Sequence, residues 1–345
     1  MRPITWTLSA ALMLALAVLS AGVTAQSTVS GGAAAQTPAA PASAGAALPD
    51  RIWQDPGPIR ALDLRYGAGG SAHAPDLAGG FTFVSEDPNA TSPKFVVVDR
   101  AGVEWKVKLG AESQAETAAT RFLWAAGYFV DEDYYVAALT VKGLPALQRG
   151  QDLVSAGGIV HGARLERKPS DTRKVGEWDW FDNPFAGRRE LNGLRVMMAL
   201  LNNWDLKKDN NAIYEVNGER RYLVSDAGAT FGKTGDKATR SKGVPEHYAG
   251  STFVAKATPA TVDLVLHSRP VFLSVFAVSN YRERTGMEQI TRDIPRADAR
   301  WLGRRLSMLT TGQIRDAFRA AGFSPGDVDI LAKIIAQRIA TLKAL

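Results

Sequence analysis

Two short segments carry the residue types that could do chemistry in this chain. The first covers residues 205–210, with the sequence DLKKDN, and the second is the turn at Asp226, with the sequence SDAG. A carboxylate can accept a proton from an attacking hydroxyl, and a lysine can neutralise phosphate oxygens. Carboxylate and amide oxygens are ligands for a hard cation such as Mg²⁺. Phosphoryl transfer needs these groups together, because its catalysis is mostly positioning and charge stabilisation.

Each of these residues has a definite role in such a site. Asp205 is expected to accept the proton, and Lys207 is expected to reach the transferring phosphate, so both are catalytic candidates. Asn210 and Asp226 are candidate metal ligands, because they offer a neutral amide oxygen and an anionic carboxylate.

Regular elements lead into both segments. Apolar residues repeat at helical spacing over residues 189–203, which predicts a helix that ends at the first segment. Two strands, at residues 212–216 and 221–225, are joined by Asn217-Gly218. Because Asn-Gly is a strong signal for a two-residue hairpin turn, we expect a hairpin that ends at Asp226.

Strand patterns dominate the N-terminal half. Residues 81–84, 94–99, 134–139 and 162–166 are strand candidates, and residues 103–109 alternate between apolar and polar. Lys106 and Lys108 share the polar face of this last strand, where a lysine is often only a solvated edge charge. The pattern of residues 112–126 predicts a helix that ends at Gly127. Glu116 lies on this helix, and it is either a solvated carboxylate or a residue of the site.

The order of these motifs resembles the protein-kinase-like superfamily over roughly residues 81–345. Residues 205–210 resemble its catalytic loop, and Asp226-Ala227-Gly228 resembles its Asp-Phe-Gly metal-binding turn. The resemblance implies that Lys108 binds the nucleotide with Glu116 as its helix partner; the helix itself resembles that of HipA-type and phosphoinositide-kinase-like atypical kinases. The implied fold is α+β and two-lobed, with an antiparallel-sheet N-lobe and a mainly helical C-lobe. The implied cofactors are ATP and Mg²⁺.

Several positions depart from the pattern of that superfamily. Trp204 stands where most protein kinases carry an Arg, Ala227 replaces Phe, and no clear glycine-rich loop is present. These departures fit an atypical or minimal kinase, and they leave open a catalytically inactive pseudokinase that binds a nucleotide or another ligand. Lys106 stays an alternative to Lys108 as the phosphate lysine.

A rival motif covers residues 227–234, with the sequence AGATFGKT. It satisfies a permissive phosphate-loop pattern. In a P-loop NTPase the lysine and threonine open a helix whose N-terminus binds phosphate, but residues 235–245 have no apolar periodicity. A P-loop NTPase is therefore the weaker alternative. Without cysteines or an HExxH motif, the sequence offers no standard zinc site.

The N-terminus predicts export. Arg2 precedes an apolar run over residues 8–18, and Val23-Thr24-Ala25 resembles a signal-peptidase site, so residues 1–25 are expected to be a signal peptide. The alternative is an uncleaved anchor helix. Residues 26–48 are rich in small and polar residues and predict a disordered linker. The mature protein is then periplasmic or secreted, with no stable membrane insertion.

The rest of the 345-residue chain predicts one two-lobed domain, with an N-lobe at residues 49–175 and a C-lobe at 176–345. The net charge of +6 favours anionic ligands without specifying nucleic acid. We therefore expect an exported atypical kinase-like protein that binds Mg-ATP and transfers phosphate to a hydroxyl. The expected partner is a nucleotide, and the residues specify neither the acceptor nor the oligomeric state.

Overall fold

The structure is a computed structural model that describes residues 47–88, 92–234, 240–266 and 285–345. The predicted signal peptide, the alternative anchor helix and the predicted linker up to residue 46 lie outside the described residues. Within the described residues, no helix combines the length and the apolar character that a membrane span requires. The chain forms one compact unit from Ala47 to Leu345.

The segments of alternating apolar and polar residues in the N-terminal half form a closed sheet. A short strand, β1 (Asp50–Arg51), comes before it in the chain and belongs to another sheet. The strands are β2 (Phe81–Asp87), β3 (Lys94–Asp99), β4 (Glu104–Leu109), β5 (Asp133–Lys142), β6 (Val154–Ser155) and β7 (Ile159–Lys168). The order β4-β3-β2-β5-β7 closes into a ring because β7 also pairs with β4. Neighbouring strands of the ring are antiparallel, except that β2 and β5 are parallel.

The alternation of β4 and β7 divides their side chains between the inside of the ring and its outer face. Apolar side chains of both strands fill the inside. The outer face carries charges, and the strand register pairs Lys108 with Arg164 and Lys106 with Glu166. Buried charges are costly unless they are paired, so whatever covers this face must leave each charge a partner.

Helix α1 (Glu112–Ala126) covers this charged face. It has the bounds that the sequence predicts, and it ends where Gly127 adopts a left-handed conformation with φ +99°. A Cβ atom at this position would lie 2.4 Å from the carbonyl oxygen of Gln54, so only glycine fits. The helix is buried over most of its length, and Glu116 is therefore a buried residue instead of a solvated one.

A second sheet carries the predicted hairpin. It consists of β1, β10 (Glu219–Val224), β9 (Asn211–Val216) and β8 (Arg173–Gly176), in that order. Asn217 and Gly218 form the turn with φ values of +54° and +74°, as a two-residue hairpin turn requires. Helix α2 (Arg189–Leu200) precedes the hairpin and ends before the predicted Asn203, because Asn202 is left-handed at φ +59°.

The C-terminal part is mainly helical. Its helices are α3 (Pro245–Ala249), α4 (Arg296–Leu306), α5 (Thr311–Ala320) and α6 (Pro325–Ala344). It also holds a small antiparallel sheet of β11 (Val254–Ala257), β12 (Thr261–Leu264) and β13 (Ile294–Pro295). The sequence of residues 258–345 predicts a helical region, and this is wrong for β12 and β13. These strands are too short to show a period of their own, and each is fixed by pairing with a distant segment.

The arginine-rich sequence at residues 300–305 predicts a solvated helix face, but the Arg305 side chain is only 16% exposed. The guanidinium of Arg305 lies over the rings of Trp53 and Trp301, with distances of 5.0 and 5.8 Å to the ring centroids. It also donates a hydrogen bond of 2.8 Å to Asp55. The side chain therefore ties the N-terminal segment to α4 by cation–π contacts and one ion pair.

The element order gives a sheet-rich N-terminal part and a mainly helical C-terminal part. This confirms the predicted fold class, α+β with the arrangement expected of a two-lobed protein-kinase-like fold. The predicted limit between the N-lobe (49–175) and the C-lobe (176–345) falls inside β8, which pairs with β9. The lobe limits themselves stay a prediction.

Candidate active site

Lys108 lies at the centre of a cluster of buried charges on the outer face of β4. Its ammonium donates to Glu116 Oε2 at 2.8 Å and to the two carboxylate oxygens of Asp226 at 3.0 and 3.1 Å. A third carboxylate, that of Glu112, lies 2.5 Å away. The side chain of Lys108 is 1% exposed, so these carboxylates take the place of its water shell. The structure thus brings three of the predicted site residues, Lys108, Glu116 and Asp226, into contact.

The junction between β4 and α1 holds this cluster in position. Glu112 and Glu116 stand one helical turn apart, so both carboxylates point from α1 toward Lys108. The hydroxyl of Ser113 donates to the carbonyl oxygen of Lys108 at 2.8 Å and ties the helix to the strand. The acidic turn can approach α1 because its third residue is Gly228, where a Cβ atom would lie 2.9 Å from the Glu112 side chain.

Lys106, the alternative phosphate lysine, has different surroundings. Its Nζ lies 3.5 Å from Glu166 Oε2, and one third of its side chain is exposed. Both lysines are on the outer face of β4, but α1 begins just after the strand and covers the end that carries Lys108. The structure therefore places Lys108, and not Lys106, against Glu116.

Arg164 forms a second layer of charge behind this cluster. Its Nη1 lies 3.2 Å from Glu116 Oε1 and 2.9 Å from Asp133 Oδ1, and its Nη2 lies 2.8 Å from Glu166 Oε2. All four side chains are buried. Sequence reasoning did not single out Arg164, Asp133 or Glu166, because their meeting depends on the pairing of β7 with β4 and β5, which no local pattern encodes.

The pKa values in the cluster reflect a balance of burial and pairing. Burial alone would lower the pKa of the Lys108 ammonium, but Glu116, Asp226 and Glu112 overcome it and hold the pKa above its usual value. Burial would raise the pKa of Asp226 and of Glu112, yet Lys108 holds both below their usual values, with help from Lys94 and Lys242 respectively. At neutral pH the ammonium of Lys108 therefore faces the ionised carboxylates of Asp226 and Glu112, whereas burial raises the pKa of Glu116 to about 7.

Backbone hydrogen bonds join the two acidic segments. The carbonyl oxygen of Asn210 accepts from the N–H groups of Ser225, at 2.8 Å, and Asp226, at 3.2 Å. The side-chain amide of Asn210 donates in turn to the carbonyl oxygen of Asp205 at 2.6 Å. One residue therefore links the loop at 205–210 to the turn at Asp226.

Asp205 and Lys207 lie at the open side of this arrangement. Their side chains are 30% and 50% exposed, and Lys207 Nζ lies 3.5 Å from Asp205 Oδ1. The backbone on either side is anchored inside the protein. The N–H of Asp205 donates to Asn203 Oδ1 at 3.1 Å, and the N–H of Trp204 donates to the carbonyl oxygen of Ala229 at 3.2 Å. The position of the Asp205 backbone is thus fixed, while its carboxylate faces solvent.

A cavity of about 420 Å³ lies between the outer face of the ring and the acidic segments. This is within the usual size range of small-molecule sites. Glu116, Asn210 and Asp226 contribute to one end of its wall, and among the described residues Asp205 does not line it. The remaining wall is mostly charged and consists of Lys94, Lys106, Asp131, Arg164, Glu166, Arg167, Lys168, Pro169, Thr172, Lys174, Asp209, Tyr214 and Ser225.

Three acidic side chains beside the cavity lie close enough to one another to contribute to a cation site, and Lys108 Nζ lies within 3.0 Å of each of them. Glu112, Glu116 and Asp226 each offer a carboxylate oxygen, and these oxygens lie within 4.8 Å of one another. Oxygen ligands of this kind are what Mg²⁺ prefers. Of the two predicted ligands, Asp226 belongs to this trio, and Asn210 lies on the same cavity wall. Glu112 was not singled out from the sequence, although its position one helical turn before Glu116 was a usable signal.

The phosphate-loop pattern at residues 227–234 does not form a phosphate cradle in the described residues. Lys233 is exposed, and its backbone N–H donates to Ser241 Oγ at 2.9 Å. No helix begins at Lys233 or Thr234, and residues 235–239 lie outside the description. The lysine that contacts the acidic turn is instead Lys108, which is buried and donates to Asp226.

Comparisons with known proteins were made for the whole chain. No protein-family model matches it, and no curated protein matches it. Among solved structures it is similar to the Helicobacter pylori proinflammatory kinase CtkA, with a TM-score of 0.41 and 12% identity over 76% of this chain and 96% of that chain. It is also similar to the Golgi casein kinase, with a TM-score of 0.41 and 9% identity over 77% of this chain and 72% of that chain.

A second structure of the Golgi casein kinase, with Mn/ADP bound, gives a TM-score of 0.40 and 8% identity over 77% of this chain and 73% of that chain. Both of these proteins are named as kinases.

Proposed function

We propose that the protein is an exported atypical kinase-like protein, of the HipA-type or phosphoinositide-kinase-like kind, that binds Mg-ATP and transfers phosphate to a hydroxyl acceptor. The observation that supports this best is the buried ammonium of Lys108 between Glu112, Glu116 and Asp226. Such an arrangement costs folding energy unless every charge is paired, and two of the carboxylates that hold the ammonium, Glu116 and Asp226, line a cavity of about 420 Å³.

In this proposal Lys108 binds the phosphate oxygens of the nucleotide. Glu116 holds the ammonium from the side of α1, and Arg164 holds Glu116 from behind. The lysine is therefore held in position before the nucleotide arrives, and an N–H donor that now faces Glu112 or Asp226 would turn to a phosphate oxygen. Asp226 and Asn210, which both line the cavity, would hold Mg²⁺, which when bound supplies charge neutralisation to the phosphates.

Asp205 is the proposed general base. Its backbone is held by Asn203 and Asn210, so that the carboxylate stands at the open side of the site where an acceptor hydroxyl can arrive from solvent. Lys207, next to this carboxylate, would bring positive charge to the transferring phosphoryl group. Export is inferred from residues 1–25 alone.

A pseudokinase is the second candidate, because one observation favours it. The Asp205 carboxylate is outside the wall of the cavity among the described residues, and Lys207 neutralises it. Under this alternative the cavity binds a nucleotide or another anionic ligand, and no transfer follows. ATP is also scarce outside the cytoplasm, so an exported protein could use the same site for binding alone.

The test separates binding from transfer. Thermal unfolding of the full chain is measured with and without Mg-ATP for the wild type, Asp226→Asn and Lys233→Ala. At 100 times Kd the nucleotide should stabilise the wild type by about 2.7 kcal/mol, a Tm rise of roughly 5 °C. The proposal predicts that Asp226→Asn loses this rise and that Lys233→Ala keeps it; the opposite result would support the phosphate-loop alternative.

Transfer is then followed with labelled phosphate, using proteins of the secreted fraction as acceptors. Asp205→Asn keeps the shape of the side chain but cannot accept the proton, so it should bind Mg-ATP normally and transfer at least about 100-fold more slowly. Unchanged transfer by Asp205→Asn would reject Asp205 as the base. Nucleotide binding without any transfer by the wild type would select the pseudokinase.

A further inference from the structure

A second cavity, of about 570 Å³, lies between α1, β5, α5 and the segment before β2. It shares no lining residue with the cavity beside Asp226. Its wall includes three arginines, Arg65, Arg121 and Arg319. Among the described residues, Asp316 is the only carboxylate on this wall. The cavity has the size of a small-molecule site, and the positive charge of its wall favours an anion.

Arg121, on α1, is buried without a carboxylate partner. The residue is 2% exposed, and no described carboxylate forms an ion pair with it. Its Nη2 donates to the carbonyl oxygen of Asp133 at 2.6 Å, while the carboxylate of Asp133 is bonded to Arg164. Its Nε is buried and has no hydrogen-bond partner. Since a guanidinium has five N–H donors, four of them lack an acceptor in the described part of the chain.

Arg164 shows the usual way in which a guanidinium is buried. It is also 2% exposed, but the carboxylates of Glu116, Asp133 and Glu166 surround it. These carboxylates hold the pKa of Arg164 above its usual value, whereas burial lowers the pKa of Arg121 against a weaker opposing effect of Asp133. Because buried charges in proteins are normally paired, the guanidinium of Arg121 beside a cavity indicates an anion that completes its pairing.

The side chain of Arg121 is held in place from two sides. Gly67 adopts a left-handed conformation with φ +74°, and a Cβ atom there would lie 2.5 Å from Arg121 Nη1, so the segment before β2 can pack against the guanidinium only with glycine at this position. The guanidinium also lies over the ring of Tyr134, 5.7 Å from its centroid. The cation is therefore fixed before a ligand binds, which lowers the entropic cost of binding.

The other charged residues of the wall indicate the charge of the ligand. Arg319 Nη1 donates to Asp316 Oδ1 at 2.9 Å, so these two charges balance each other. Arg65 is exposed, and its side chain has no ion pair with any described residue. Arg65 and Arg121 thus leave two positive charges on the wall without a partner. A phosphate monoester brings a charge of about −1.5 to −2 at pH 7 and three acceptor oxygens, whereas a carboxylate brings a single charge.

The rest of the wall is aromatic or apolar. Leu77 is 52% exposed, which is unusual for a large apolar side chain unless something covers it. Aromatic rings and aliphatic side chains gain free energy by contact with an apolar ligand surface. The organic part of the ligand is therefore expected to be apolar. The wall residues of this kind are Tyr66, Tyr134, Tyr135, Leu77 and Val136, with small residues between them.

We propose that this cavity is a second binding site, which takes a small phosphate monoester with an apolar or aromatic organic part. Arg121 and Arg65 bind the phosphate oxygens, and the tyrosines and Leu77 contact the organic part. Planar guanidinium groups suit this role, because two parallel N–H donors match two phosphate oxygens. The site does not involve the Lys108 cluster, so it stands or falls independently of the proposed function.

The first test compares three probes by calorimetry with the full chain at pH 8. Phenyl phosphate carries two negative charges and a ring, benzoate has the ring with one charge, and inorganic phosphate lacks the ring. Phenyl phosphate should bind at least about tenfold more tightly than either of the others. Failure of phenyl phosphate to bind, or an affinity no better than that of inorganic phosphate or of benzoate, would overturn the proposal.

The second test uses variants of the wall. Arg121→Gln should weaken phenyl phosphate at least about tenfold, and Arg65→Gln about three- to fivefold, because Arg65 is exposed. Arg60→Gln is the matched control, since Arg60 is an exposed arginine outside the wall, and it should leave the affinity unchanged. If Arg121→Gln does not fold, Arg65→Gln still decides, because an exposed residue can be replaced without unfolding the protein. Unchanged affinity in Arg65→Gln would overturn the proposal.

Asp226→Asn shows which cavity the phosphate occupies. The proposal predicts that this variant binds phenyl phosphate like the wild type, and that Arg65→Gln binds Mg-ATP like the wild type. If phenyl phosphate instead bound beside Lys108, Asp226→Asn would change its affinity and Arg65→Gln would not, which would overturn the second site. Absence of Mg-ATP binding by the wild type would reject the proposed function, and phenyl phosphate binding that depends on Arg65 would then still support the second site.

Discussion

The Lys108 cluster and the Asp205 loop meet at one site but are built in opposite ways. The ammonium of Lys108 is 1% exposed and has three carboxylates within 3.1 Å. The carboxylate of Asp205 is 30% exposed, and among the described residues its one ion pair, with Lys207, spans 3.5 Å. Under the proposed function, the difference corresponds to a nucleotide side that is fixed as part of the fold and an acceptor side that is open to solvent.

The difference in burial between the two regions predicts different effects of substitutions on the free energy of unfolding. Removing one partner of a buried charge cluster leaves the others desolvated and unpaired, which typically costs 3–5 kcal/mol. An exposed ion pair contributes little, about 0–1 kcal/mol. Substitutions in the Lys108 cluster should therefore affect stability and binding together, whereas substitutions in the Asp205 loop should affect transfer alone.

The largest effect is expected for Lys108→Met. The methionine fills a similar volume but leaves Glu112, Glu116 and Asp226 without their shared cation, so the free energy of unfolding should fall by about 3–5 kcal/mol. Lys106→Met is the matched control two residues away on the same face. It should cost less than about 1 kcal/mol, because Glu166 keeps Arg164 and Lys168 as partners.

Urea unfolding of both variants measures the difference. Equal losses of stability in Lys108→Met and Lys106→Met would mean that the Lys108 cluster contributes no more to the fold than the partly exposed pair of Lys106 and Glu166.

An intermediate effect is expected from Asp131→Asn, and it should depend on pH. The pKa of Asp131 is raised in the folded protein, so its contribution to stability is complete below the unfolded pKa and is lost as pH rises through the folded pKa. Asn cannot ionise and avoids this loss. The variant should match the wild type near pH 4 and be more stable at pH 8, by about 1.4 kcal/mol for each unit of pKa difference.

Thermal unfolding at pH 4, 6 and 8 checks this expectation. A difference between Asp131→Asn and the wild type that stays constant with pH would show that the carboxyl group titrates normally. Glu132→Gln is a suitable control, since Glu132 is the next residue, is partly exposed and is paired with His73 at 2.9 Å and Arg167 at 3.5 Å.

The features that the sequence predicted best are those determined by short stretches of residues or by recognisable motifs. Helix α1 was predicted with its correct bounds, because its period is clear and Gly127 ends it. The Asn217-Gly218 turn placed the hairpin, and the resemblance of the motifs to the protein-kinase-like superfamily implied that Lys108, Glu116 and Asp226 would meet. In each of these cases the information lies within a few residues or in a short motif.

The parts that were missed depend on pairing between distant segments. Arg164 reaches Glu116 only because β7 closes the ring against β4, and a local pattern cannot show this closure. β12 and β13 were assigned to a helical region for the same reason, since two to four residues carry no period. The partial burial of Arg305 was missed because its partners Trp53 and Asp55 lie about 250 residues away in the sequence.

The smallest effect on stability is expected for Asp205→Ala, although its effect on transfer should be complete. The Asp205 carboxylate is partly exposed and holds one long ion pair, so its removal should change the free energy of unfolding by less than about 0.5 kcal/mol. Asn203→Ala is the comparison variant, because Asn203 anchors the backbone of Asp205. Asn203 is fully buried and its Oδ1 accepts from the N–H of Asp205, so its loss should cost about 1–3 kcal/mol.

The two variants together test whether the Asp205 carboxylate is unnecessary for folding while the Asn203 side chain, which holds the backbone, is necessary. Denaturant unfolding gives the stabilities, and labelled-phosphate transfer gives the activities. Asn203→Ala should slow transfer because the Asp205 backbone loses its anchor, while Asp205→Ala should abolish transfer in a protein that melts like the wild type. A large loss of stability in Asp205→Ala would mean that its carboxylate supports the fold, and a residue needed for folding could not be assigned to the base role from loss of transfer alone.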